Sequence, residues 1–217
     1  MTEDTDLYTA QFKIEDIFPH KSVLARYMVR IFLIVNQVTY VHEKFLELPK
    51  DESINREGKS LFLLKLNCSI LREAIKLFAE AEKNPDFLNF LDQLSPESKQ
   101  MLVELHNFYE PFSGSFTELV LKPVRDNFFH LINDSGMESL LAKNAPNQSE
   151  IIVGKTFADL YIKFADDISS DMLIDQMKIS GLTLIDAIRN VSRIGVIILK
   201  MSEQLLSLYL KPFLKKP

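Results

Sequence analysis

Arg125 and His130 stand five positions apart, and Asp126 directly follows the arginine. A guanidinium is a permanent cation in a planar fork that suits a phosphate, and an imidazole exchanges its proton near neutral pH. Together they supply what metal-free cleavage of RNA requires: a charge to hold the phosphate and a group beside it to move a proton. On an ideal helix, residues five apart are rotated by roughly 140°, so Arg125 and His130 do not share a stripe. Asp126 and His130 are four apart and do. The expectation is that Asp126 hydrogen-bonds the imidazole and sets its tautomer, while Phe128 and Phe129 anchor the segment. Lys122 lies one turn earlier, so an RNA would meet Lys122 and Arg125 first. The other reading of the same residues is a surface ion pair for Arg125 and a packing or capping role for His130.

The elements that position this stretch are helical. From Ser22 to Leu48 the apolar residues Leu24, Met28, Ile31, Val35, Val38 and Phe45 step by threes and fours, with His42 in the gap on that seam. Pro49 and the polar run from Lys50 to Gly58 end this helix. A second follows with Leu61, Leu64, Cys68, Leu71, Ile75 and Phe78 on one stripe and Arg72, Glu73, Lys76 and Glu80 opposite. The short connection predicts antiparallel packing. After a short helical turn, Asp86 to Leu94, Ser95 reads as an N-cap with Pro96 in first position, and the next helix runs to about Tyr109. Pro111 to Ser115 breaks the chain, and a helix from Phe116 carries the Arg-His stretch. Pro123 either kinks it or starts a new helix there.

Asn133 to Ser149 reads as a polar loop, and Ile151 to Val153 as a short strand or the lead into a helix from Lys155 to Met177. Gly181 separates that helix from a last one, Leu182 to about Tyr209, followed by a basic tail with Lys211, Lys215 and Lys216. No hairpin signal occurs. Ile185, Ile188, Val191, Ile198 and Leu205 make the last helix either the centre of the fold or a subunit contact, and Gly195 suits close helix approach. The expected fold is all-α, an antiparallel bundle of six to seven helices in one domain.

Arginine, a polar residue, a few further residues and histidine, late in a helical bundle, resemble the signature of the HEPN family. The match is Arg125, Asp126 and His130, with two long antiparallel helices before it. The HEPN-like core would span about residues 20–132, with helices at about 150–217 completing or extending the bundle. The resemblance implies a homodimer that brings two motifs to one cleft and cleaves RNA without a metal or other cofactor. His130 would serve as general base or acid at the ribose 2′-hydroxyl, Arg125 would bind the scissile phosphate, and Asp126 would orient the histidine. It also implies a prokaryotic defence or toxin-type system, with a cognate antitoxin or regulatory protein as a partner. Some family members are non-catalytic, so the rival expectation is a helical protein that binds a partner protein or nucleotide through the same groove.

Composition narrows the alternatives. The chain has 217 residues, 47% hydrophobic, and a net charge of -5. It is therefore no generally basic nucleic-acid binder, and an RNA contact must be local. The single cysteine, Cys68, precludes an intrachain disulfide and sits on a core stripe, unsuited to a reactive thiol. The acidic start lacks a signal-peptide layout, and the run Ile194 to Leu199 is far too short to span a membrane, so a cytoplasmic protein without membrane contact is expected. Asp166, Asp167, Asp171 and Asp175 read as a solvated acidic face rather than a metal site. His20 belongs near a helix start, and His42 reads as a buried or half-buried seam histidine. His106, near Glu104 and Glu110, could assist RNA chemistry but sits in ordinary amphipathic packing. No Gly-rich phosphate loop, His-Glu-x-x-His, Cys-x-x-Cys or Gly-x-Ser-x-Gly is present.

Overall fold

The computed structural model describes residues 12–48, 56–109, 115–129, 134–149, 151–152, 161–179 and 181–214. The fold is all-α. In chain order the helices are α1 (Ile14–Ile17), α2 (Val23–Leu46), α3 (Arg56–Ala81), α4 (Pro85–Leu91), α5 (Pro96–His106), α6 (Lys122–Phe129), α7 (Asp134–Asn144), α8 (Lys163–Ile179) and α9 (Leu184–Leu214).

Local chemistry accounts for several boundaries. The Ser22 side chain accepts from the backbone N–H of Ala25. The Ser95 side chain accepts from Ser98 with Pro96 in the first turn, as expected, and Asn84 caps α4 ahead of Pro85 in the same way. Thr183 and Asp186 bond each other's backbone N–H across the start of α9, a reciprocal cap. Gly181 has φ 70, the left-handed conformation that separates α8 from α9 at little cost to glycine.

The long helices α2 and α3 pack against each other, and Arg30 near the start of α2 bonds Glu80 near the end of α3 at 3.2 Å, so the two run antiparallel. The third long element, α9, packs on α2, α3 and α5 and places Ile194, Ile198, Met201 and Leu205 in the same core as Met28, Ile31, Leu71 and Phe78. Its other side leaves Ile185, Ile188 and Val196 exposed. Thus α9 has both a central face and an open apolar one.

Five details differ from the sequence expectation. The buried stripe of α2 is Ala25, Met28, Ile31, Ile34, Val38 and Val41. Val41 takes the last seam position, and His42 is rotated out to solvent because a 3.6-residue repeat drifts away from a fixed step. On α3, Arg72 is buried although it was assigned to the open side, since α2, α6, α8 and α9 all cover that helix. The stretch read as a polar loop contains α7, which docks on α8 through Lys143 and Asn144. Of the two readings of Ile151–Ile152 the strand holds, paired antiparallel with Tyr161–Ile162, but the helix expected from Lys155 begins at Lys163. Finally, α9 continues past Tyr209 through Lys211 and Pro212. Pro212 lies in the last turn, where its missing N–H leaves only the Leu208 carbonyl without its intrahelical donor.

Gly195 is buried against α3, yet a Cβ built there would sit 4.0 Å from Leu71 Cδ2, an ordinary contact. The helices are therefore not close enough to require glycine. No helix among the described residues is long and apolar enough to cross a membrane.

Candidate functional site

The Arg-His stretch is reached through an irregular turn. Residues Thr117–Leu121 form a π-helical turn in which the Lys122 N–H bonds Thr117 O, five residues back. Pro123 explains the widening, because it has no N–H for the carbonyl of residue 119 and its ring would collide with that carbonyl in a regular helix. Both sequence readings of Pro123 were thus partly right: α6 starts beside it, but the chain runs in without a break. The turn is pinned by the buried Thr117 hydroxyl, which donates to Phe108 O at 2.6 Å. Such π turns are common beside functional residues.

On α6, Lys122, Arg125 and Asp126 occupy one side, at spacings of three and four. Arg125 Nη1 donates to Asp126 Oδ1 at 2.9 Å. Its Nη2 lies 3.8 Å from Oε1 of Glu73 on α3, with 34% of the arginine side chain exposed. The hydrogen bond to Asp126 and the nearby charge of Glu73 push the guanidinium further above its ordinary value. Arg72 Nη1 reaches the same Glu73 Oε1 at 3.3 Å, with 11% of its side chain exposed. Lys122 Nζ bonds Glu118 Oε2 at 3.1 Å.

The ion pair foreseen as the alternative for Arg125 exists, and one oxygen of Asp126 accepts from Arg125. His130 lies outside the described residues, the described part of α6 running to Phe129. Lys211 is exposed on α9, while Lys215 and Lys216 also fall outside the described residues. Sequence reading missed the parts played by Glu73 and Arg72. Nothing local marks them, because only the packing of α3 on α6 brings them to Arg125.

A second polar cluster joins α5 to the end of α3. His106 Nε2 bonds Glu82 Oε2 at 2.8 Å, and the Tyr109 hydroxyl donates to the other Glu82 oxygen. Burial, then the Glu82 hydrogen bond, raises the Tyr109 hydroxyl far above the usual phenol range. The partner of His106 is therefore Glu82 rather than Glu104, which instead pairs with Arg193. Glu82, the residue that follows α3, lies nine positions beyond Glu73, a helical rise of roughly 13 Å and half a turn of azimuth away, so this cluster faces elsewhere.

The acidic ladder of α8 is matched by α7. Lys143 bonds Asp175 at 2.9 Å and lies 3.5 Å from Asp171, Asn144 donates to Asp171 at 2.7 Å, and Ser149 donates to Asp167 at 3.3 Å. The Lys143 hydrogen bond pulls Asp175 below the usual carboxylate range. Among the described residues, no group of three or more His, Cys, Asp or Glu is arranged to hold a metal ion. Cys68 is buried, and burial pushes its thiol up to about 12. His20 sits near the start of α2 as expected, its ring 3.0 Å from Glu15.

No protein-family model matches the chain, and no curated protein or solved structure matches it significantly.

Proposed function

We propose that this chain is a metal-independent endoribonuclease resembling the HEPN type, acting as a cytoplasmic homodimer in a prokaryotic defence or toxin-type system. In the reaction His130 takes the proton of a ribose 2′-hydroxyl, and that oxygen attacks the adjacent phosphorus. The bond to the 5′-oxygen breaks, leaving a 2′,3′-cyclic phosphate, and the leaving oxygen takes a proton from water. Arg125 binds a non-bridging oxygen and stabilises the charge that builds up on it. Asp126 holds the fork of Arg125 in place through one oxygen and orients His130.

The observation that supports this reading is the placement of Arg125. It is partly exposed, steadied by carboxylates from two helices, and mounted on a helix that leads directly to His130. The open apolar residues Ile185, Ile188 and Val196 on α9 offer a surface for a second copy. A second reading has its own observation. Both Arg125 and Lys122 are already paired with carboxylates, which favours a non-catalytic protein that binds a partner protein, such as an antitoxin, through the same groove.

The test is RNA digestion in the presence of a chelator by wild type, Arg125→Ala and His130→Ala, each checked for helicity. Activity lost in both variants with the fold intact supports the nuclease. Equal activity in all three, or none in any, removes it and leaves the binding protein.

A further inference from the structure

We infer that Arg72 and Arg125 form a two-guanidinium site for an RNA phosphate, held closed in the resting chain by the carboxylate of Glu73. The choice of RNA as the source of that phosphate rests on the reading proposed above; the anion site itself does not depend on cleavage.

One carboxylate oxygen carries the argument. Glu73 Oε1 is 3.3 Å from Arg72 Nη1 and 3.8 Å from Arg125 Nη2, so two cations from two helices converge on a single oxygen. Consecutive residues on a helix do not face each other. Glu73 reaches its neighbour Arg72 because its carboxylate folds back over the helix surface toward α6. Arg72 is buried and fixed by packing, whereas 49% of the Glu73 side chain is exposed. Arg72 is thus the buried member of the pair and Glu73 the one that faces solvent.

A guanidinium is a planar fork of N–H donors, and Glu73 meets the two of them with a single shared oxygen. A phosphodiester brings two non-bridging oxygens carrying a full charge, a better match to a pair of planar forks. Asp126 stays on the other edge of Arg125 and keeps it aimed. Glu73 therefore marks where a phosphate would sit and competes with it for the same donors.

The experiment measures binding of a short labelled 2′-O-methyl RNA, whose blocked 2′-oxygen prevents cleavage, at fixed salt. Calorimetric titration with inorganic phosphate runs alongside. Glu73→Gln keeps the shape but removes the charge and should tighten RNA binding about five- to tenfold, the scale expected for a unit charge lost at contact distance when water screens it. Glu80→Gln, the same change two turns further along α3 where Arg30 is the partner, controls for net charge and should shift affinity less than about twofold. Adding Arg125→Gln to Glu73→Gln should abolish the gain.

Unchanged or weaker binding by Glu73→Gln overturns the proposal, as does a gain equal to that of Glu80→Gln or one that survives loss of Arg125. Phosphate binding that rises in Glu73→Gln without any RNA binding overturns RNA as the source. Tighter RNA binding by a protein that never cleaves unmodified RNA upholds the anion site while removing the nuclease reading.

Discussion

Replacing Gly195 with alanine should make this protein more stable, against the usual direction of core substitutions. Gly195 lies in the interior of α9, buried between Ile194 and Val196 and facing α3. Glycine in a helix interior is about 1 kcal/mol less favourable than alanine, chiefly because the unfolded chain loses more freedom on folding. The added methyl would find Leu71 Cδ2 at 4.0 Å and nothing closer, so it fills space without pushing a neighbour. Burying a methyl contributes at most about 0.8 kcal/mol, and less here because the contact is one-sided. The sum is a gain of about 1–1.5 kcal/mol. For a chain of this length each kcal/mol moves the melting midpoint by about 2–4 °C, so calorimetry should read a rise of roughly 3–5 °C. Urea unfolding should show a higher midpoint at an unchanged slope. Gly195→Leu should reverse the sign, since a side chain that large overpacks the seam by about 1–3 kcal/mol. A lower midpoint for Gly195→Ala would refute the reasoning and mean that α3 and α9 approach more closely than 4.0 Å allows.

Two further outcomes test the buried polar and thiol groups. Tyr109 is raised by burial and by Glu82, so the folded protein keeps a proton that the unfolded chain gives up above about pH 10. Its contribution is full below that pH and is lost as pH rises; Tyr109→Phe should cost about 1–3 kcal/mol at neutral pH, and its deficit relative to wild type should narrow in alkaline urea titrations. A gap that stays constant or widens with pH contradicts the Glu82 contact. Cys68, pushed up to about 12 by burial, should not react with a thiol reagent at pH 8 until denaturant is added. Fast labelling of the native protein would mean that the core between α3 and its neighbours opens readily.

What could be read locally was read correctly where one side chain bonds the next turn. Ser95 caps α5 with Pro96 in the first turn, because capping depends only on residues two or three apart. The two long helices followed from their apolar rhythm for the same reason. Arg72 shows where that stops. Its position on the stripe of α3 looks outward, and only coverage by helices from the rest of the chain buries it. The two-residue strands were missed as a pair because residues 153–160 separate them, with no tight-turn signature between. The helix α7 was missed because its partners, Asp171 and Asp175, sit on α8.

From the residues alone came an all-α chain, its principal helices, and Arg125 as a cation worth testing, since helical periodicity and the chemistry of a guanidinium are written into residue type and order. Tertiary structure decided what surrounds that cation. The packing of α3 on α6 sets Glu73 between Arg72 and Arg125. Charge contacts across helices depend on distances of a few ångströms between residues far apart in the chain, and no local spacing encodes them.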